Sequence, residues 1–167
     1  MLAFQPMTQA PTVYFHEEQR FRDSWLWLIV LIPFVVAISV TLAAPRTPSG
    51  AVLLALIVGV GVALLIGLAR LETTVTSDAV AVTFHGLWPT RRIQLDDLAD
   101  YAPMHYGMWD SGGWGIHFGL AGLTYNVSGN EGIHFRLKAG GRVLVGTQRL
   151  AEFAAALAKA MAARGAG

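Results

Sequence analysis

The sequence contains no cysteine, and this absence removes several kinds of chemistry at once. Disulfide bridges, thiolate metal sites and cysteine nucleophiles all require that side chain. Charged residues are also scarce, at 14% of the chain against roughly 25% in an average soluble domain. From Arg70 onward, nine Lys or Arg stand against eight Asp or Glu, so no basic patch indicates a nucleic-acid partner.

Charge is missing altogether from two long apolar runs, which are the most informative feature of the chain. The runs Trp25–Ala44 and Ala51–Ala69 contain 20 and 19 residues. About 20 apolar residues, each rising ~1.5 Å along a helix, match a hydrocarbon core ~30 Å thick. We therefore predict a transmembrane helical hairpin, with a kink at Pro33 in its first helix. Because neither run holds an ionisable side chain, ion transport and pigment ligation by these helices are disfavoured.

The apolar runs divide the chain into three predicted parts. These are an N-terminal cytoplasmic segment over 1–24, the hairpin over 25–69 and a folded cytoplasmic domain over 70–167. A cleaved signal peptide is an alternative for the first run, which ends in small residues. We favour a retained helix because the run is longer than the apolar region of a usual signal peptide.

Basic residues beside the spans predict the orientation in the membrane. Arg20 and Arg22 precede the first span and Arg70 follows the second, whereas the connecting loop carries only Arg46. The positive-inside rule then places both termini on the cytoplasmic side of the inner membrane. Two aromatic residues, Trp25 and Trp27, stand where the first helix would enter the headgroup region, which such rings favour.

Small residues recur at every fourth position of the second span and predict a helix-packing face, because small side chains let helix backbones approach closely in lipid. The face consists of Ala51, Ala55, Gly59, Ala63 and Gly67. Two interpretations remain open. The face packs on the first helix of the same hairpin, or it docks onto a helix of another subunit.

Downstream of the hairpin, short alternating segments predict strands and a final amphipathic segment predicts a helix. The candidate strands are Leu71–Thr76, Val80–Phe84, Arg91–Leu95, Tyr101–Tyr106, Ile116–Leu120, Leu123–Val127, Ile133–Leu137 and Val143–Val145. Turns at Ala121-Gly122 and at Gly140-Gly141 predict two adjacent hairpins, the second with a two-residue loop.

The final helix is predicted from Arg149, with Thr147 as its N-cap. Its apolar stripe consists of Leu150, Phe153, Ala154, Leu157 and Met161. About seven antiparallel strands closed by one C-terminal helix predict an α+β domain resembling a pleckstrin-homology (PH) barrel or sandwich, with the helix plugging an open end.

Four segments carry a resemblance to a family of prokaryotic two-span membrane proteins with a C-terminal PH-like domain. They are YFHEEQRFR from Tyr14, GGWGI from Gly112, YNVSGN from Tyr125 with Gly132, and VGTQR from Val145. The resemblance covers roughly residues 14 to 160 and implies the fold more strongly than a function. The chain departs from the family at His117, where a basic residue often follows, and at Leu150, where proline is common.

Ligand sites find little support in the sequence. Phosphoinositide binding is disfavoured because only Arg91 and Arg92 are adjacent, and phosphate needs several converging cations. The repeated Gly-Ile-His-Phe could bring His117 and His134 onto neighbouring strands, but zinc requires three or four ligands. We predict outward-facing polar histidines, with neither a metal nor a cofactor. The sequon at Asn126 is interpreted as a polar turn.

An enzyme is not predicted either. No serine lies in a nucleophile elbow, and the acidic residues Asp96, Asp97 and Asp100 fit a solvated turn with a short helix. The best binding candidate is an aromatic loop, for which we predict interface residues Tyr106, Met108, Trp109 and Asp110. Aromatic and Met side chains are enriched at interface cores. Trp114 is expected to close the end of the barrel instead.

These observations predict a non-enzymatic, membrane-anchored accessory or assembly subunit of a larger membrane complex, with an energy-transducing, respiratory or photosynthetic complex as one candidate. Its partners would be membrane protein subunits and the lipid bilayer, reached through the hairpin and the PH-like domain. The alternative is a lipid- or peptide-binding module at the cytoplasmic membrane face.

Overall fold

The computed structural model describes residues 11–21, 26–43, 49–86, 88–106, 115–119, 122–127 and 129–165. Over these residues the protein is α+β, with three α-helices and two sheets that do not close into a barrel. In chain order the elements are β1 Val13–Arg20, α1 Leu26–Ala43, α2 Ser49–Leu68, β2 Arg70–Thr76, β3 Ala79–His85, β4 Trp88–Gln94, β5 Leu98–His105, β6 Gly115–Gly119, β7 Gly122–Asn126, β8 Glu131–Leu137, β9 Arg142–Gly146 and α3 Leu150–Gly165.

The first sheet has the order β1-β2-β3-β4 and contains a strand that the sequence did not predict. Strand β1 precedes the hairpin, yet it pairs antiparallel with β2, which follows the hairpin. Its inward-facing residues are Phe15, Glu17 and Gln19, all buried. Because two of these three are polar, the apolar alternation that normally identifies a strand is absent.

The second sheet has the order β5-β8-β9-β7-β6 and contains one parallel pair, which corrects the prediction of an all-antiparallel domain. Strands β7 and β9 pair in parallel, with Leu123 opposite Val143. The chain reverses direction between β7 and β8 and again between β8 and β9, so β9 runs in the same direction as β7. In the sheet, β9 lies between β8 and β7. The predicted turn at Gly140-Gly141 is confirmed by positive φ angles of 81° and 131°, although the loop spans 138–141.

Helix α3 covers the first sheet and β8, and its aromatic residue joins the two sheets. Phe153 is fully buried and stacks on Phe15, with ring centroids 5.0 Å apart, while the Phe135 ring lies 6.1 Å away. The buried face of the helix is Phe153, Ala156, Leu157 and Ala160. The stripe prediction is therefore wrong at Met161, which is 37% exposed.

The acidic segment after β4 has the structure that its sequence predicted. Leu95–Asp97 forms one turn of 3-10 helix, with the Leu95 side chain buried. Asp96 then pairs with Arg164 of α3, and Asp100 on β5 pairs with Arg136 on β8. Both ion pairs lie on the surface, so each contributes little to the stability of the fold.

The two apolar runs form helices α1 and α2, which pack on each other and leave most of their side chains exposed. The described chain holds one helix long and apolar enough to cross a membrane, Gly50–Leu68, with a mean hydropathy of 2.9 and 6% of its residues buried. The apolar part of α1, Val30–Ala43, is shorter than this.

Candidate functional site at the base of the helical hairpin

The hairpin joins the first sheet without a flexible linker on the α2 side. Helix α2 ends at Leu68 and β2 begins at Arg70, with only Ala69 between them. Ala69 is 3% exposed, and its amide donates to the carbonyl oxygen of Leu65 at 3.0 Å. Since β1 pairs with β2 up to Arg20 opposite Arg70, the strand ladder reaches the base of the hairpin.

Aromatic contacts fasten the other side of the junction. Phe21 is 6% exposed and packs on Phe84 of β3, with ring centroids 6.0 Å apart. The indole Nε1 of Trp27 on α1 donates to the carbonyl oxygen of Phe21 at 3.1 Å. Trp27, predicted at the membrane interface, is thus half-buried at the junction. The companion residues Arg22 and Trp25 lie outside the described residues, as does Arg46 of the loop.

The predicted helix-packing face meets α1 at its central residue. A Cβ placed on Gly59 would lie 2.9 Å from Cε2 of Phe34 and 3.2 Å from Cγ of Pro33. On the same row, Ala55 and Ala63 are half-buried, whereas Ala51 and Gly67 are exposed. The contact at Gly59 supports packing within the hairpin as the role of this face.

We expect Gly59→Leu to separate α1 from α2 locally, because the new side chain must displace Phe34 and Pro33. Overpacking of this kind costs about 1–3 kcal/mol. The chain has no cysteine, so spin labels can be introduced at the exposed Leu31 and Leu64 and their distance distribution measured. The matched control is Gly61→Leu on the same helix, since a Cβ on Gly61 meets nothing within 4 Å. Equal broadening by both substitutions would contradict the packing role of Gly59.

Three basic side chains form one row across the first sheet, directly below the hairpin. Arg20 on β1 is opposite Arg70 on β2, and Arg70 is opposite His85 on β3. They line a cavity of about 400 Å³ together with Gly67, Leu68 and Gly86. Arg20 and Arg70 were predicted at the membrane interface, but His85 was not placed beside them.

Two carboxylates in the next row of the sheet form bonds with members of this basic row. Glu18 bonds Arg20 at 2.6 Å, and Glu72 bonds His85 Nε2 at 2.7 Å. The hydrogen bond from Arg20 lowers the pKa of Glu18, and the charges of Arg20 and Arg70 lower that pKa further. Within the described residues, no ion pair joins Arg70 itself to a carboxylate.

A buried polar seam joins β1 to the end of the second sheet. The Glu17 carboxylate accepts hydrogen bonds from the Thr147 hydroxyl and from the Gln148 amide, the latter at 2.9 Å. Gln19 Nε2 donates to the carbonyl oxygen of Gly146 at 2.8 Å. Thr147 therefore serves this seam and is not the N-cap that the sequence predicted, because α3 begins at Leu150.

Two further polar atoms converge on the seam without a hydrogen-bond partner among the described residues. The Tyr106 hydroxyl and Asn126 Oδ1 lie 2.7 Å and 2.8 Å from the position that a Cβ on Gly146 would take. Burial raises the pKa of Tyr106 to about 12. Tyr106 is 5% exposed and Asn126 1% exposed. The interface prediction for Tyr106 is therefore corrected to an interior position, and Asn126 is a buried strand residue instead of a turn.

The remaining predicted interface residues, Met108, Trp109 and Asp110, lie outside the described residues, as does Trp114. Three of the segments quoted for the family resemblance meet at the seam, since they supply Glu17, Asn126 and Thr147. Sequence reasoning missed the seam because its members are distant in the chain and polar. Locally, the seam is marked by the inward position of Glu17 and Gln19 on β1, which the structure shows.

The two histidines of the repeated motif do not lie on neighbouring strands. His117 on β6 is separated from His134 on β8 by β7 and β9. Three strand spacings amount to about 14 Å, too far for two ligands of one ion. In the part of the chain that is described, no group of three His, Asp or Glu is placed to hold a metal.

No protein-family model matches this sequence, and neither the curated proteins nor the solved structures compared with it contain a match.

Proposed function

We propose that this protein is a non-enzymatic, membrane-anchored accessory or assembly subunit that presents its α+β domain to partner proteins at the cytoplasmic face of the inner membrane. The observation that carries the proposal is helix α2. It is apolar throughout, only 6% of its apolar stretch is buried within the described structure, and it continues into β2 through one residue. A helix that is apolar on all sides and unburied needs lipid or another protein around it.

The junction between the hairpin and the first sheet supports a domain held in a fixed position, and not one attached through a flexible linker. Sheet pairing, the Phe21–Phe84 contact and the buried Ala69 all connect the hairpin to the sheet. Because only Ala69 lies between α2 and β2, the sheet has a defined position relative to the helices. A partner bound to the helices would therefore meet the domain in that position. Such fixed geometry suits an assembly subunit.

A PH-like fold is the finer part of the proposal. Two sheets covered by a C-terminal helix support it, with α3 packed against β1, β2 and β8. The parallel β7–β9 pair and the open sheets are departures from the barrel expected of that family. The proposed membership in the two-span family therefore rests on the quoted sequence segments.

Purification of the full chain from membranes in mild detergent tests the proposed role. We expect it to co-purify with defined membrane proteins in a particle larger than the monomer with its detergent. A monomer that carries only lipid or peptide would contradict the subunit role and favour the alternative binding module. The partner could belong to an energy-transducing complex, respiratory or photosynthetic, and identification of the co-purified proteins decides this.

A reporter fused after Gly167 tests the proposed orientation. We expect cytoplasmic activity, because Arg20 and Arg70 lie side by side at one end of the hairpin, where the positive-inside rule places basic residues on the cytoplasmic side. A matched fusion of a periplasm-active reporter at the same position should stay inactive. Activity of the periplasmic reporter would contradict the two-span topology.

A further inference from the structure

The basic row under the hairpin is unusual for a sheet surface. Residues directly opposite on antiparallel strands have Cβ atoms about 5 Å apart, and like charges in such positions destabilise the pair. Here Arg20 and Arg70 are directly opposite each other, and His85 occupies the next position on β3. An anion in the cavity would offset the repulsion between the two guanidinium groups.

Carboxylates among the described residues form ion pairs with two members of the row. Glu18 bonds Arg20 and Glu72 bonds His85, while Arg70 stands between them without an ion pair to a described carboxylate. Arg70 is also partly buried, so water screens its charge less than that of an exposed arginine. The Arg70 guanidinium therefore lines the cavity without a direct ion pair to a described carboxylate, although its charge also acts on Glu18.

The position of this cavity indicates the source of the anion. Its walls include Gly67 and Leu68, the last turn of the apolar helix α2, so it lies where a bilayer surface would meet the sheet. At the same end of the sheet, Trp88 of β4 is opposite Phe84 and is 56% exposed. An exposed tryptophan at this end of the sheet is typical of a protein surface at the headgroup level.

We propose that the cavity lined by Arg20, Arg70 and His85 binds the phosphate of an anionic phospholipid headgroup, with Arg70 as the central contact. The guanidinium groups would donate charge-assisted hydrogen bonds to the phosphate oxygens. The acyl chains of the lipid would lie along the exposed end of α2, beside Leu68. This inference rests on the proposed membrane anchoring. It adds that the anchored protein binds anionic phospholipids in preference to neutral ones.

Lipid binding to the full chain tests this proposal. The detergent-solubilised protein is titrated with phosphatidylglycerol or with phosphatidylcholine, and bound lipid is counted by native mass spectrometry. We expect preferential binding of phosphatidylglycerol, and about tenfold weaker binding after Arg70→Gln, as loss of a charge-assisted bond predicts. Arg70→Lys should retain part of the affinity.

Arg92→Gln is the matched control. Arg92 is exposed on the outer face of the same sheet, opposite Ala81 and at the end away from the hairpin, and its substitution removes the same charge. Equal weakening by Arg70→Gln and Arg92→Gln, or no preference between the two lipids, would overturn the site. Binding of inorganic phosphate in lipid-free micelles, with the same dependence on Arg70, would overturn the lipid assignment.

A carbonate wash of membranes separates this proposal from the anchoring on which it rests. Release of the wild-type chain by the wash would mean that anchoring itself fails. Retention of the chain without a preference for phosphatidylglycerol would overturn only the lipid site.

Discussion

Replacing Gly122 with alanine is expected to be among the most damaging single changes in this protein. Gly122 has a φ of +90°, and a Cβ there would overlap the carbonyl oxygen of Arg142 and lie 2.7 Å from its Cβ. A left-handed conformation costs a residue with a Cβ about 1–2 kcal/mol, and overpacking adds about 1–3 kcal/mol. The expected loss in the free energy of unfolding is therefore about 2–5 kcal/mol.

The obstacle is backbone, so it cannot rotate away as a side chain would. Gly122 begins β7 and Arg142 begins β9, immediately before the parallel register of Leu123 with Val143. Relief of the overlap requires the two strands to move apart, which breaks their hydrogen bonds. The substitution thus tests the parallel pair directly.

Urea unfolding of the full chain in detergent, followed by far-UV circular dichroism, measures this loss. Gly129→Ala is the matched control, because Gly129 also has a φ of +90° but a Cβ there meets nothing within 4 Å. The control should lose only the conformational part, about 1–2 kcal/mol. Similar losses for both variants would mean that β7 and β9 do not approach each other as described.

Replacing Glu17 with alanine is expected to lower the free energy of unfolding by about 3 kcal/mol, since hydrogen bonds to a buried charged group contribute about 1.5–3 kcal/mol each. The Glu17 carboxylate accepts from the Thr147 hydroxyl and from the Gln148 amide and is 5% exposed. Its removal leaves the buried Thr147 hydroxyl without this acceptor. It also loosens β1, the strand that leads into the hairpin.

The neighbouring Glu18→Ala is the control for this prediction. Glu18 faces outward on the same strand and bonds Arg20 on the surface, so its removal should leave the unfolding curve close to that of the wild type. Glu17→Gln keeps the shape and one acceptor oxygen, and we expect a loss between those of the wild type and Glu17→Ala. Equal curves for Glu17→Ala and Glu18→Ala would show that the seam does not join the sheets.

Local pattern predicted the elements that depend on local forces. The period-two alternation of Ile133, Phe135 and Leu137 predicted β8, and glycines predicted the turn that follows it. The 3.6-residue spacing of apolar residues predicted α3 and two residues of its buried face, Phe153 and Leu157. Each of these signals is contained within a few neighbouring residues, so a single sequence reveals it.

The candidate site was only partly predictable, because its members are distant in the chain. The flanking charges identified Arg20 and Arg70 as residues at the membrane end of the hairpin. His85 joins them through the register of β3 on β2, and no feature of its own neighbourhood indicates that position. The same holds for Tyr106, whose aromatic neighbours suggested an exposed interface and whose ring is buried beside Gly146.

By itself, the sequence determined that two uncharged apolar runs form helices, that the later part alternates between strands and ends in a helix, and that thiol chemistry is absent. The tertiary structure decided which strands are neighbours. It brought β1 to β2 across the whole hairpin, separated His117 from His134 by two strands, and placed Gly59, unlike Gly61, against Phe34. Periodicity reports which face of an element is apolar, whereas the partner of that face depends on contacts between residues far apart in the chain.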